Sequence, residues 1–270
     1  MLQNLHTHTV FCDGKSSPEE MIESAIALGF ESLGFSSHAP TSICDDCELR
    51  DFPGYVKKIN ELKTIYKSKI KIFLGIEFDF YSAGQVSLEN MDYIIGSVHY
   101  SNVGGKTIFY DFSAERTKKH IEEDFGGDGI AYARSYYERL MLLPSVIRAD
   151  FIGHFDIVSK FSDIHPEFFD TDSYEYKKIA LDALHTVREK NEFFEVNTGA
   201  LSRGLKNMPY PAPFILDEMK KLGCKLIITS DCHRKEHLDF YFNETKEYIR
   251  SHGFDTVYYL TGNGFVGEKI

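Results

Sequence analysis

The sequence predicts one α/β domain, a parallel barrel of about seven strands, on three observations. Short runs rich in β-branched and apolar residues alternate with helical stretches along all 270 residues, the pattern of a parallel sheet with helical crossovers. Nearly every such run leads into a histidine, a carboxylate or an asparagine. A barrel gathers all of those ends on one face, whereas an open sheet spreads them along an edge. No linker, repeat or low-complexity tract divides the chain, so residues 1–270 read as a single domain.

The elements follow in order. The first strand ends near Leu5 and runs into His6 and His8. Ser17-Pro18-Glu19-Glu20 opens a helix, with Ser at the N-cap, Pro at the first helical position, and Met21, Ile22, Ala25, Ile26 and Leu28 at helical spacing up to Gly29. Ser32-Leu33-Gly34-Phe35 is the second strand, followed by His38, and a helix is expected over 55–67. The third strand, from Lys71 to Ile76, precedes Glu77; the fourth, from Tyr93 to Val98, precedes His99. About 100–140 the chain is longer than a simple crossover needs. This elaborated segment carries Tyr110, Asp111, Phe112, Glu115 and Tyr132, either as an aromatic and acidic lid or as a surface insertion, and a helix is expected over 130–143. Asp150-Phe151-Ile152-Gly153 leads into His154, with a helix over 174–190 to follow. Phe193-Phe194-Glu195-Val196 leads into Asn197 before a helix over 213–222. The seventh strand, Lys225-Leu226-Ile227-Ile228-Thr229, leads to Asp231 and His233, and a last helix is expected over 235–252.

Composition narrows the function. With 30 Lys and Arg against 41 Asp and Glu, the formal charge is −11, and the basic residues are spread thinly, which argues against a nucleic-acid partner. No apolar run approaches the ~18 to 20 residues that span a bilayer, so no membrane partner is expected. The opening residues lack the basic and apolar regions of a secretory signal. Five cysteines without framework spacing suit reduced thiols, and with them a cytoplasmic location. The lone Cys44-Asp45-Asp46-Cys47 reads as a loop sequence rather than a redox or zinc site.

The histidines carry the chemistry. His6 and His8, two apart at a strand end, point to the same side, and Asp231-Cys232-His233 repeats that geometry. Asp13 follows in the loop after the first strand, where Gly14 allows a tight turn. Any one of these residues alone reads as an ordinary structural residue. Together His6, His8, Asp13, His38, Glu77, His99, His154, Asp231 and His233 exceed what one ion needs and suit two or three. Mixed imidazole and carboxylate donors favour divalent zinc, manganese or iron over magnesium. Three carboxylates cannot neutralise three divalent ions, so the surplus positive charge points to a phosphate-monoester substrate.

These residues make the sequence resemble the polymerase-and-histidinol-phosphatase (PHP) superfamily, and within it the stand-alone histidinol-phosphate phosphatases. The resemblance rests on His6-x-His8 with Asp13-Gly14, Ser37-His38-Ala39-Pro40, Gly75-Ile76-Glu77, Gly96-Ser97-Val98-His99, Gly153-His154-Phe155-Asp156, Glu195-Val196-Asn197-Thr198 and Ser230-Asp231-Cys232-His233. It implies a distorted (β/α)7 TIM-like barrel with three divalent transition-metal ions. His6, His8, Glu77 and Asp231 would hold one ion, Glu77 would bridge to a second completed by His99 and His154, and Asp13, His38 and His233 would hold the third. The implied activity is hydrolysis of L-histidinol phosphate in histidine biosynthesis.

Beyond the metal ligands, Asp231 or His233 is expected to handle the leaving-group proton, water being the alternative. Arg203, after the sixth strand, is the first choice for a phosphate contact because a guanidinium binds phosphate as a fork; the competing reading is a solvated surface residue. Lys160 is a weaker candidate on the same ground. Asn197 either orients substrate or a ligand or caps the next loop, and Glu115 is a candidate cation contact. His120, His165, His185, His237 and His252 read as surface residues. Three rivals stand against the phosphatase: a phosphoesterase for nucleotides or short oligonucleotides, an amidohydrolase-type barrel, and a metal-dependent sensor without turnover. The amidohydrolase leaves Asp13, His38 and His233 unexplained, and the sensor predicts lost ligands, of which there are none.

Overall fold

A computed structural model describes residues 1–43, 49 and 51–270; Cys44 and Cys47 lie outside them. Seven strands form one parallel sheet in the spatial order β1 (Gln3–Asn4), β2 (Ser32–Phe35), β3 (Lys71–Asp79), β4 (Tyr93–Ser97), β7 (Phe151–Ile152), β8 (Phe193–Asn197) and β9 (Lys225–Thr229). Beyond the last residues of β1 and β9, a parallel bridge between Thr7 and Cys232 brings the first and last strands together. His8 N–H donates to Cys232 O at 2.9 Å and Cys232 N–H to His6 O at 3.3 Å, so the sheet curls into a nearly closed barrel.

The crossovers are α1 (Pro18–Ala27), α2 (Phe52–Tyr66), α4 (Gly129–Leu142), α5 (Tyr174–Arg188) and α7 (Pro213–Lys221). The first shows how locally the sequence specifies them. Ser17 accepts from Glu20 N–H while Glu20 accepts from Ser17 N–H, a capping box worth about 1 kcal/mol, and Met21, Ile22 and Ala25 on one stripe are buried. Around α4 and α5, the buried rings of Tyr132, Tyr136, Tyr137 and Tyr176 fill the outer core.

The lower barrel is plugged rather than open. Tyr93 lies across the axis over Gly75, where a Cβ would come within 2.2 Å of its ring, and its hydroxyl donates to Leu5 O at 2.5 Å. Leu5, Phe73, Ile95, Phe151 and Ile227 complete the plug. A hairpin of β10 (Thr256–Thr261) and β11 (Gly264–Lys269) covers this end, and both polar atoms of the Gln3 side chain pair with the Leu260 backbone at 2.8 Å.

The structure departs from the sequence reading in four places, the first being the hairpin of β10 and β11, which follows the last expected helix. The elaborated segment is a hairpin, β5 (Tyr100–Val103) and β6 (Lys106–Phe109), followed by α3 (Ala114–Asp124). The helix expected over 235–252 is broken: a single 3-10 turn, Lys235–His237, is followed by Tyr241 at φ 64°, and α8 starts only at Phe242 and ends at Ser251. β3 runs to Asp79, which places Glu77 within a strand instead of after it. No helix among the described residues is long and apolar enough to cross a membrane.

Candidate metal centre

The upper ends of the strands bring all nine ligand-type side chains together. His38 follows β2 and pairs as an isolated parallel bridge with Glu77, which sets its ring against that carboxylate. Glu77 is the hub. Its Oε1 lies 2.9 Å from His154 Nε2 and 3.3 Å from His99 Nε2; its Oε2 lies 2.8 Å from His38 Nδ1, 3.3 Å from His6 Nε2 and 3.5 Å from His8 Nε2. Asp231 Oδ1 sits 3.1 Å from His8 Nε2 and 3.6 Å from His6 Nε2. On the outer side Asp13 meets His233 Nε2 at 3.1 Å and His38 Nε2 at 3.6 Å.

Two backbone features hold this geometry. A Cβ on Gly14 would fall 2.5 Å from the carbonyl carbon of His8, so only glycine lets the Asp13 loop fold back against the first strand. Asp231 is held at φ 46°, a left-handed conformation uncommon outside glycine, asparagine and aspartate, which turns its carboxylate toward His6 and His8.

The cluster fits divalent ions. Among the described residues, four overlapping groups have ligand atoms within 4.8 Å of one another: His8, Asp13, His38 and His233; His6, His8 and Glu77; His6, His154 and Asp231; and His38, Glu77 and His99. Despite these short contacts, His6 Nε2, His8 Nε2, Asp13 Oδ1, Glu77 Oε2 and His154 Nδ1 are buried and make no hydrogen bond of acceptable geometry, an arrangement that costs free energy unless a cation satisfies the ones that face the cluster. Electrostatics agree. Burial would raise the Glu77 carboxyl, but His6, His99 and His38 hold it well below the usual range, and Asp231 behaves likewise beside His6 and His8. Burial would lower His6, yet Glu195, Glu77 and Asp231 hold it well above the ordinary imidazole range; His99 and His38 are raised by Glu77 against the same penalty. His8 goes the other way, pushed down to about 3 by burial and by the neighbouring His233 and His38, so its ring is a neutral donor. A field that retains protons on three buried imidazoles also draws in metal cations.

Asp13, His38, His99, Asp231 and His233 line a cavity of about 630 Å³, while His6, His8, Glu77 and His154 are buried outside its lining. Lys160 and Arg203 also line it, and each is paired: Lys160 Nζ donates to Asp111 O at 2.8 Å and lies 3.2 Å from its Oδ2, and Arg203 donates to Asp231 Oδ2 at 3.3 Å. Two other expected contacts are not brought to the cavity. Asn197 is buried, accepting from Gly199 N–H at 2.8 Å and donating to Glu195 at 2.9 Å, so it caps the loop after β8 where the short helix α6 (Gly199–Ser202) begins. Glu115 is exposed in the first turn of α3, and the acidic residue that does reach the cavity from this segment is Asp111, with Tyr100, Phe109 and Phe112. His237 also departs from its surface reading, because the 3-10 turn carries it to the cavity rim.

Sequence reasoning missed two carboxylates behind the ligands. Asp79 accepts His99 N–H at 2.7 Å, and Glu195 meets His6 Nδ1 at 2.6 Å. The signal for both was an acidic residue inside an apolar strand run, and Glu195 also opens the Glu195-Val196-Asn197-Thr198 motif, which assigns it no role.

Comparison with known proteins bears on this geometry. The model of the PHP domain family matches residues 4–199. A Schizosaccharomyces pombe protein named "Probable histidinol-phosphatase" is 27% identical, covering 98% of this chain and 92% of its own. The histidinol-phosphatase of Bacillus subtilis is 25% identical, over 85% of this chain and 92% of its own. Among solved structures, the histidinol phosphate phosphatase of Lactococcus lactis, complexed with zinc, L-histidinol and phosphate, aligns with a TM-score of 0.76 at 22% identity over 98% of each chain. At that identity the likeness establishes the fold.

Proposed function

The chain belongs to the PHP domain family, and from that premise we propose that it is a metal-dependent phosphomonoester hydrolase that converts L-histidinol phosphate and water to L-histidinol and phosphate. One observation carries the reading: nine ligand-type side chains from the upper ends of six strands and the loop after the first converge at a cavity of small-molecule size, with five of their buried atoms making no hydrogen bond. The names of the relatives and the ligands bound to the Lactococcus protein support the substrate.

Three divalent ions match the donor set, with zinc, manganese and iron the suitable metals. His6, His8, Glu77 and Asp231 would hold the first, Glu77 with His99 and His154 the second, and Asp13, His38 and His233 the third. When bound, such ions supply Lewis acidity, acidifying water and neutralising a phosphoryl group. The chain's own residues do the rest. Arg203 presents a planar guanidinium and Lys160 a point charge to the phosphate from the cavity lining. Asp231 and His233 both line the cavity; Asp231, held ionised, can only accept a proton, which leaves His233 or water to protonate the leaving oxygen. Asp111 with Tyr100, Phe109 and Phe112 offers a carboxylate and aromatic faces, the chemistry that suits an ammonium and an imidazole. A biosynthetic role of this kind belongs to the cytoplasm.

Specificity constants for histidinol phosphate, nucleoside monophosphates and an aryl phosphate test the assignment. A preference of about a hundredfold for histidinol phosphate, roughly 2.7 kcal/mol of transition-state discrimination, is expected. Equal or better turnover of the nucleotides would replace it with a nucleotide phosphoesterase.

A further inference from the structure

Glu195 belongs to none of the four ligand groups and does not line the cavity, yet it is completely buried at the centre of the barrel. Its Oε1 receives His6 Nδ1 at 2.6 Å and Thr229 Oγ1 at 2.5 Å; its Oε2 receives the His154 backbone N–H at 2.6 Å and Asn197 Nδ2 at 2.9 Å. One carboxylate therefore joins the residues following β1 and β7 to β8 and β9.

We infer that Glu195 is a positioning residue for the metal centre, fixing the His6 ring so that Nε2 faces the ion and tying that ring to the backbone of His154. The inference rests on the metal-centre reading given above. The His154 backbone N–H and the Asn197 amide fix this carboxylate as the acceptor, so the His6 nitrogen against it carries a hydrogen, and the second proton that the ion-free cluster retains on this ring sits on Nε2, where a metal would displace it. That nitrogen is one of the buried atoms that make no hydrogen bond, 3.3 Å from Glu77 Oε2 and 3.6 Å from Asp231 Oδ1. An outer carboxylate of this kind holds a ligating histidine in one tautomer and one ring orientation. Among the described residues His6 has the shortest such contact from a carboxylate outside the ligand set, and His233 Nδ1 meets the Asp231 carbonyl at 3.0 Å instead. His99 Nδ1 is 3.5 Å from Asp79, and His8 Nδ1 has the Cys12 thiol at 3.5 Å, both longer contacts.

Glu195→Gln tests this. The amide offers one accepting oxygen and a donating NH2, so it cannot receive all four donors, and its NH2 must oppose at least one of them. In zinc-chelator competition on the full chain, one bound ion is expected to weaken by about 10- to 100-fold while the others keep their affinity. Thr229→Val, which removes a donor to the same carboxylate without touching His6, is expected to keep all affinities. Unchanged binding in Glu195→Gln, a uniform weakening of every ion, or an equal loss in Thr229→Val would each overturn the inference, the last two by reducing Glu195 to a strand pin. A readout that needs no variant is the long-range nitrogen spectrum of zinc-loaded protein carrying labelled histidine. His6 should be protonated at Nδ1 and metallated at Nε2, and coordination through Nδ1 would refute the role even if Glu195→Gln failed to fold. If the unmutated chain bound no zinc, the metal-centre reading itself would fall, an outcome distinct from normal zinc binding with an indifferent Glu195.

Discussion

Glu77→Gln is the sharpest test of the metal centre, because the structure says how much should be lost and how much kept. The carboxylate faces five imidazoles at 2.8 to 3.5 Å and belongs to two of the four ligand groups. Replacing it leaves the groups His8, Asp13, His38, His233 and His6, His154, Asp231 intact, so bound metal should fall without reaching zero. Ions paired across a shared carboxylate supply several kcal/mol to phosphoryl transfer; losing about 4 kcal/mol of that lowers kcat/KM about 10³-fold. The fold should survive. The amide nearly matches the carboxylate in size, and His6, His38 and His99, held above the ordinary imidazole range beside Glu77, can shed protons instead of standing as buried unpaired charges. The assay is metal content by elemental analysis after desalting, alongside steady-state hydrolysis of histidinol phosphate and far-UV circular dichroism. A variant with the normal metal count and near-normal kcat/KM would refute the reasoning, since it would show that the hub of the cluster holds nothing.

Three further outcomes follow from the same geometry. Gly14→Ala puts a Cβ 2.5 Å from the His8 backbone, so the loop must move away with Asp13; the count of tightly held ions should drop, and full occupancy by elemental analysis would contradict this. Arg203→Lys exchanges a fork for a point charge, and loss of charge-assisted hydrogen bonds of about 1.5–3 kcal/mol should lower kcat/KM by about 10- to 100-fold, with unchanged kinetics as the contrary result. Ion uptake should strengthen as pH rises. His6, His38 and His99 have raised pKa values in the ion-free cluster and so retain protons that a metal must displace, which makes affinity climb until those groups are deprotonated. Calorimetry in buffers of different ionisation enthalpy should therefore report proton release on zinc binding, and a buffer-independent enthalpy would exclude it.

The barrel was legible because its strands are short apolar runs between turn residues. Ser32–Phe35 and Lys225–Thr229 fall where the sequence places them, and most strands carry a ligand-type side chain at or beyond their upper end. The two hairpins were not legible as strands. Tyr100–Val103 and Lys106–Phe109 turn at Gly104-Gly105, both at positive φ, a signal available in the sequence but read as part of a longer insertion. The break at Tyr241 left no mark, because tyrosine is not a residue that announces a left-handed backbone. Ligands could be gathered from their strand-end positions alone, whereas Glu195 acquires its role only through His6, 189 residues away in the chain. Asp111 rather than Glu115 reaches the cavity because the hairpin fixes where the chain turns into α3, a path that periodicity does not encode.

The seam of the barrel has a mechanical consequence. Little backbone bonding crosses it, and the chemistry stands on both sides: His6 and His8 beside the first strand, Asp231 and His233 beyond the last, with Asp13 facing His233 across 220 residues of sequence. An ion held across that line would be a clasp as well as a reagent. Opening the barrel there and extracting the ion become one event, so the loaded protein should resist proteases and slow unfolding for as long as its ions take to leave. The strands pair around the barrel in the order in which they are synthesised, and the residues that complete the clasp come late. A growing chain therefore carries a complete site only once its seventh barrel strand has met its first.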